Sequence, residues 1–336
     1  MDLSSPAEEA ITLRTIGAFG MLALAAAVGL PSFALADDAR QLDHIFVIVE
    51  ENAEFGSIIG NPKAPTLNAL ASRYGLATQS FGVTHPSEGN YVAMLGGDAY
   101  GIEDDNAFTS HTIARPSLVD QLEGAGLTWK GYFQSLPAAG YAGTCYPSAA
   151  VCLYASKHNG FLNFAHVQQS DAEKARLVPD TDLATDLASP GMPDLSFIIP
   201  DQCHDLHGLG DQCSDERLLA DSDQYLATTV QAIMGSDPWT QARSAIVVTF
   251  DEGSEDSTLG CCGANPGGGR IATVVILSQQ TGPQQDPAPY NHYSLVATIQ
   301  AAFGLGCQFQ GQPVGLTCDT AHGVQPMAPL FQLQPG

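Results

Sequence analysis

Acids and imidazoles crowd the ends of three apolar runs in this chain. His44-Ile45-Phe46-Val47-Ile48-Val49 runs into Glu50-Glu51-Asn52, and Leu195-Ser196-Phe197-Ile198-Ile199 into Pro200-Asp201-Gln202-Cys203-His204-Asp205-Leu206-His207. Ala245-Ile246-Val247-Val248-Thr249-Phe250 runs into Asp251-Glu252-Gly253. Hard oxygens and ring nitrogens are the donors that hold a divalent cation or a phosphate group. Two adjacent acids such as Asp251-Glu252 repel each other unless a cation or hydrogen-bond donors compensate. Taken singly, an Asp-Glu pair is more often a solvated turn, and Glu51-Asn52 fits an Asx-type turn. Their shared place at strand ends is what raises the metal reading.

Ser87, within Thr84-His85-Pro86-Ser87-Glu88-Gly89-Asn90-Tyr91, is the candidate nucleophile. A serine hydroxyl needs an adjacent base or a metal to activate it. Ser87 is expected at a helix N-cap, where backbone amides and the positive end of the helix dipole suit a phosphate. On its own the tract is equally an ordinary capped turn. His85, His204, His207 and His292 all lie in polar strand-end or helix-start contexts. With Asp205 they could bind phosphate oxygens, protonate a leaving group or ligate metal. His44 reads as a core or edge residue, and His111, His158, His166 and His322 carry little signal. His158-Asn159 nevertheless lies in a loop that could face a substrate.

The elements that would position these residues follow from composition. β-branched runs of this length read as strands buried on both faces of a parallel sheet. Ligands of such sheets bind just outside the carboxyl ends of the strands, so three acid-rich ends point to one shared site. Ile271 to Leu277 is a further buried strand and Trp129-Lys130-Gly131-Tyr132 a short one. Helices are expected from Pro65, over Ser117 to Leu122, from Glu216 to Met234, and after Asn291-His292-Tyr293. The third carries Leu219, Leu226, Val230 and Ile233 at helical spacing, the fourth Leu295, Val296, Ile299 and Phe303. Strands alternating with helices make a doubly wound α/β sheet. Residues 135–160 read as a long loop pinned by a disulfide.

The apolar stretch Ile16 to Leu30, then Pro31 and the small-x-small Ala34-Leu35-Ala36, reads as a secretory signal peptide over residues 1–36. Residues 37–336 show no boundary and are expected to form a single catalytic domain, secreted or periplasmic. The net charge of −24, from 36 acids against 12 bases, argues against nucleic acid and against an anionic membrane surface as partners. Eight cysteines, an even number in an exported chain, imply disulfides. Spacing favours Cys145–Cys152, Cys203–Cys213 and Cys307–Cys318, which leaves Cys261–Cys262 either as a rare vicinal bridge or as a sign that one of the three pairings differs.

In order along the chain, the motifs around His44 to Asn52, Thr84 to Tyr91, Leu122 to Tyr132, Ile199 to His207, Thr249 to Gly253 and Asn291 to Gly306 resemble one family. It is the phosphoesterase family of secreted acid phosphatases and bacterial phospholipases C, alkaline-phosphatase-like in fold. The resemblance implies a three-layer α/β/α domain in which Glu51, Asn52, Ser87, Asp251 and Glu252 hold one divalent metal, with Ser87 as nucleophile. It also implies that His85, Asn90, Asp205, His207 and His292 surround the phosphate. An all-oxygen ligand set favours Ca²⁺, Mg²⁺ or Mn²⁺. The expected substrate is a small phosphate monoester, cleaved through a phosphoserine intermediate. The alternative enzyme is a phospholipase C-type phosphodiesterase, the one reading in which membrane lipid is a substrate. The rival from another class is an inert metal- or carbohydrate-binding surface protein on the same fold, which would not need Ser87, Asn90 and the histidines. Two positions depart from the family: Asp201 stands where many relatives have Asn, and Gln134 where relatives often have an acid.

Overall fold

In the computed structural model, which describes residues 40–280 and 282–334, strand β1 (His44–Glu50) lies inside an eight-stranded sheet. The expected signal peptide lies outside the described residues. Successive β1 side chains alternate between two apolar layers, as a strand buried on both faces requires. Ile45, Val47 and Val49 belong to one core cluster, and Phe46 and Ile48 to another.

The remaining described strands, in chain order, are β2 (Gly75–Phe81), β3 (Trp129–Phe133), β4 (Cys145–Ser148), β5 (Val151–Ala155), β6 (Leu177–Pro179), β7 (Leu195–Ile199), β8 (Ser244–Phe250), β9 (Arg270–Leu277), β10 (Gln284–Asn291) and the short pair β11 (Gln308–Phe309) and β12 (Gln312–Pro313). The large sheet runs β10-β2-β9-β8-β1-β7-β3-β6. Every neighbouring pair is parallel except those made by β9, which is antiparallel to both β8 and β2. The sheet is thus mixed where composition pointed to a parallel one. An apolar run buried on both faces reads the same in either direction, and β9 returns directly from the end of β8 without a crossover helix.

The central register positions the acid-rich tracts. Glu50 pairs with Phe250 across β1 and β8, and Ile48 pairs with both Val248 and Ile198. The acid-rich tracts after β1, β7 and β8 therefore emerge at one edge of the sheet. The helices Ser87–Gly96, Leu118–Gly124 and His292–Ala302 contribute to the core layer of Val47, whereas Pro65–Arg73 and Leu218–Met234 contribute to that of Phe46. This is the α/β/α sandwich.

Local departures from the sequence reading have simple causes. Ser87 is the first helical residue, and Pro86 holds the N-cap. The helix expected from Glu216 begins at Leu218. Within residues 135–160 the chain forms the hairpin β4–β5, closed by Cys145–Cys152. The other disulfides are Cys203–Cys213, Cys307–Cys318 and the vicinal Cys261–Cys262. Among the described residues no helix is long and apolar enough to cross a membrane.

One surface acid ties the start of β7 to its neighbours. The Asp194 carboxylate accepts hydrogen bonds from Thr128 N (2.7 Å) and Thr128 Oγ1 (2.6 Å) and pairs with Arg40 (2.5 Å). Burial works to raise its pKa, but the Thr128 hydrogen bonds and the Arg40 guanidinium outweigh that and hold it below the ordinary 3.8. A depressed carboxylate stabilises the fold above its ordinary pKa, and that contribution fades as pH falls through the folded value. Asp194→Asn is expected to cost about 1–2 kcal/mol at pH 7. Urea melts of both proteins at pH 7 and below pH 4 check this, since the gap should narrow in acid.

Candidate active site

Ser87 Oγ donates to Glu51 Oε2 at 3.0 Å and lies 3.4 Å from Glu252 Oε1. Ser87, Glu51, Asp251 and Glu252 are all buried. Glu50 does not join them, because alternation along β1 turns it to the other face. There it accepts from Ser222 Oγ at 2.8 Å, and burial pushes its carboxyl up to about 8. Asp251 Oδ1 accepts from Asn52 N (3.0 Å) and Glu252 N (2.6 Å). Asn52 makes its turn at φ 42°, in the left-handed region that Asn tolerates. The Asp251-Glu252 turn presses against the end of β2 at Gly82. A Cβ there would lie 3.0 Å from both Asp251 O and Glu252 Cα.

Burial, together with repulsion from neighbouring acids, raises the pKa of Glu51 and Asp251 well above their ordinary values. Glu51 Oε1, Asn52 Oδ1 and Asp251 Oδ2 are buried without a hydrogen-bond partner. Each such group costs about 1–3 kcal/mol unless something satisfies it. Oxygen donors with unspent lone pairs, clustered around a serine hydroxyl, fit a hard divalent cation.

The histidines are held in different charge states. His85 Nδ1 lies 2.5 Å from Glu252 Oε2, while Nε2 donates to Ser257 O at 2.8 Å. Chiefly because of Glu252, its pKa rises to about 9, so the ring is an imidazolium through neutral pH. His292 Nε2 donates to Asp251 O at 2.5 Å, and burial lowers its pKa to about 4, leaving it neutral. Asn90 is wholly buried: Oδ1 accepts from Val83 N (2.8 Å), and Nδ2 donates to Thr84 O (2.9 Å) and reaches Glu252 Oε2 at 3.4 Å.

A second arc meets the first at Glu51. His158 stacks on Tyr91 and lies between Glu51 Oε1 (3.1 Å) and Asp205 Oδ2 (3.3 Å). Asp205 is wholly buried, its Oδ1 accepting from His207 N at 2.8 Å and its main-chain oxygen from Glu51 N at 2.7 Å. His207 Nδ1 donates to Gly208 O, so Nε2 is free to accept from Lys157 Nζ, each at 2.9 Å. Lys157 also donates to Asp105 Oδ2 at 2.9 Å. Ligand atoms of Glu51, His158 and His207 lie within 4.8 Å of one another, so this arc too has the donors for a cation.

Comparison with known proteins identifies the family. The model of the Phosphoesterase family matches residues 61–306. This chain belongs to the phosphoesterase family. It is similar to a phosphatidylinositol-3-phosphatase of Mycobacterium tuberculosis, 31% identical over 298 residues that span 86% of this chain and 83% of that protein. A probable acid phosphatase of Kluyveromyces lactis is 28% identical over 77% of this chain, and a phosphate-repressible acid phosphatase of Penicillium chrysogenum 27% over 71%. The chain spans only 58% and 54% of those two proteins. Among solved structures, an alkaline phosphatase superfamily protein from Vibrio parahaemolyticus aligns with TM-score 0.55 at 13% identity, over 79% of this chain and 67% of that one. The lipoteichoic acid synthase LtaP of Listeria monocytogenes aligns with TM-score 0.56 at 12% identity, over 83% and 75%. At such identities the likeness is one of fold, that of the alkaline phosphatase superfamily. The protein is a hydrolase of phosphoric esters.

In this phosphoesterase Glu51, Ser87, Asp251, Glu252, His85 and Asn90 come together around the serine. Asn52 joins through its backbone, His292 through the Asp251 carbonyl, and Asp205 and His207 through His158 and Lys157. His204 does not join them: its ring binds Asp201 Oδ1 at 2.8 Å and lies near Tyr225. The two family departures bond to each other, with Gln134 Oε1 accepting from Asp201 N at 3.0 Å. They shape the turn after β7. Lys157 and His158 are the residues the sequence left unassigned. The His158-Asn159 pair was a faint signal, but Lys157 had none, because its place depends on the hairpin that carries it to His207.

Proposed function

We propose that this phosphoesterase hydrolyses small phosphate monoesters through a phosphoserine intermediate, using a divalent cation held by Glu51, Asn52, Ser87, Asp251 and Glu252. The observation that carries this is the buried Ser87 hydroxyl against two carboxylates, in a nest where Glu51 Oε1, Asn52 Oδ1 and Asp251 Oδ2 have no hydrogen-bond partner. A bound cation would lower the pKa of the hydroxyl and neutralise charge on the phosphoryl group. Ser87 Oγ attacks phosphorus at the helix N-terminus, where the dipole favours the anion. The P–O bond to the alcohol breaks, and water then releases phosphate from the serine. His85 contributes fixed positive charge, neutral His292 holds the Asp251 turn, and Asn90 braces Glu252. The Lys157–His207 pair holds the proton that the departing alkoxide needs. The four disulfides suit an exported enzyme, and residues 37–336 are taken as one catalytic domain.

A cavity of about 390 Å³ opens beside Lys157, where Asp105, Asn106, Thr144 and Gln202 share the lining with Ala107, Ala155 and the Cys145–Cys152 disulfide, and offers mixed polar and apolar walls to the alcohol half of the ester. Of the hairpin tyrosines Tyr146 alone is exposed, at 38%, which is little apolar surface for docking on lipid. Tyr154 is buried at 3% exposure, and Tyr141 packs edge-on against it. These features favour soluble monoesters over phospholipid. The mycobacterial relative is named as a phosphatidylinositol-3-phosphatase, a name that describes a phosphomonoester carried on a lipid, so phosphatidylinositol 3-phosphate and soluble inositol phosphates both belong in the substrate panel.

Rates on p-nitrophenyl phosphate, p-nitrophenyl phosphorylcholine and phosphatidylcholine vesicles test this reading. The monoester should be fastest, and a faster choline substrate overturns the preference in favour of a phospholipase C. Lys157→Met should lower kcat on an alkyl phosphate by roughly 100-fold. It should affect p-nitrophenyl phosphate much less, because p-nitrophenolate leaves without a proton. Equal losses on both substrates would remove Lys157 from proton delivery.

A further inference from the structure

We propose that Glu88, Asp104 and His111 form a second divalent-cation site, separate from the nest around Ser87, which fastens residues 103–111 to the nucleophile-bearing helix. One carboxylate oxygen from each acid and one ring nitrogen of His111 lie within 4.8 Å of one another. Glu88 is the second residue of the Ser87–Gly96 helix and is wholly buried. Its Oε1 accepts from Asn163 Nδ2 at 2.6 Å and lies 3.1 Å from His111 Nδ1. Its Oε2 is buried with no partner. The other ring nitrogen of His111 lies 3.3 Å from Asp104 Oδ1.

A carboxylate buried with one oxygen unspent costs stability, and a glutamine or leucine would fill the same volume without that cost. A cation would use the free lone pairs. Asp104 is exposed, so the site opens to solvent and an ion can enter. Two carboxylates and an imidazole suit Zn²⁺ or Mn²⁺ better than Mg²⁺ or Ca²⁺, whereas the Ser87 nest offers oxygen alone. The two sites therefore differ in metal preference.

The site has a route to the chemistry. Asp105, next to Asp104, accepts from Glu88 N at 3.1 Å and from Lys157 Nζ at 2.9 Å. A cation on Asp104 fixes the segment that holds Lys157 at the mouth of the cavity. The claim about binding stands whatever Ser87 does.

The test is calorimetric titration of Zn²⁺ into the whole protein with millimolar Mg²⁺ present, comparing wild type with Asp104→Asn, His111→Gln and His166→Gln. The last variant disrupts a surface group, Glu123, His166 and Glu173, that could also take zinc. Asp104→Asn and His111→Gln should each bind about one Zn²⁺ fewer than wild type, and each should lose part of the zinc-induced rise in Tm. His166→Gln should keep the increment that those two variants lose. Melting without zinc should be nearly unchanged in Asp104→Asn, whose side chain is exposed. Equal zinc uptake by wild type, Asp104→Asn and His111→Gln overturns the proposal. So does a loss confined to His166→Gln.

Discussion

Ser87→Ala should lose roughly 10⁴-fold in kcat on p-nitrophenyl phosphate while keeping its fold. Removing Oγ deletes the atom proposed to form the bond to phosphorus. A water in its place would have to be bound, oriented and deprotonated beside Glu51 and Asp251, whose burial already disfavours ionisation. The structural cost is smaller. The hydroxyl fills little volume, and its loss removes the donor to Glu51 Oε2 without touching the core of the helix. Circular dichroism and a thermal melt beside the kinetic assay separate the two effects. Activity within about tenfold of wild type would mean that water attacks the phosphorus directly.

The second large effect is a crossing of stabilities. Without metal, Asp251→Asn should melt higher than wild type, and with millimolar Ca²⁺ or Mn²⁺ the order should reverse. The Asp251 carboxyl is wholly buried, and burial followed by repulsion from Glu51 and Glu252 raises its pKa well above 3.8. A carboxyl whose folded pKa is raised destabilises the fold as pH rises above its ordinary pKa, because ionisation is then cheaper in the unfolded chain. Asparagine keeps the Oδ1 acceptor for Asn52 N and Glu252 N but removes the charge. In wild type a bound cation would pair with that charge, so binding should stabilise it by mass action. The variant should hold metal weakly and lose on the order of 100-fold in turnover, as a damaged metal site does. Differential scanning fluorimetry with chelator and with added metal, beside elemental analysis, reads both halves. Identical melting order in the two conditions would remove the cation from this nest.

How much of this was legible before the fold follows from what sequence patterns encode. β1, β7 and β8 were readable because runs such as Val47-Ile48-Val49 and Ile246-Val247-Val248 must be buried on both faces, and their acid-rich ends therefore fall at one edge. The Asn291 cap was readable because its side chain serves local amides, Tyr293 N and Ser294 N. What composition does not encode is strand direction, so β9 was visible as a strand but not as an antiparallel one. Nor does it encode what a disulfide-closed hairpin delivers elsewhere. Cys145 and Cys152 were paired correctly, yet the consequence, Lys157 and His158 brought against His207 and Glu51, depends on tertiary placement. The charge states of His85 and His292 were equally hidden. The same side chain is protonated beside Glu252 and neutral beneath Asp251 O, and only burial and partner distinguish them.

The central claim is that phosphate passes through Ser87, and the stereochemistry at phosphorus tests it most directly. Hydrolysis of a phosphate monoester made chiral with oxygen isotopes should proceed with net retention, because transfer to Ser87 and then to water inverts the configuration twice. Net inversion would mean a single transfer to water and would contradict a phosphoserine intermediate.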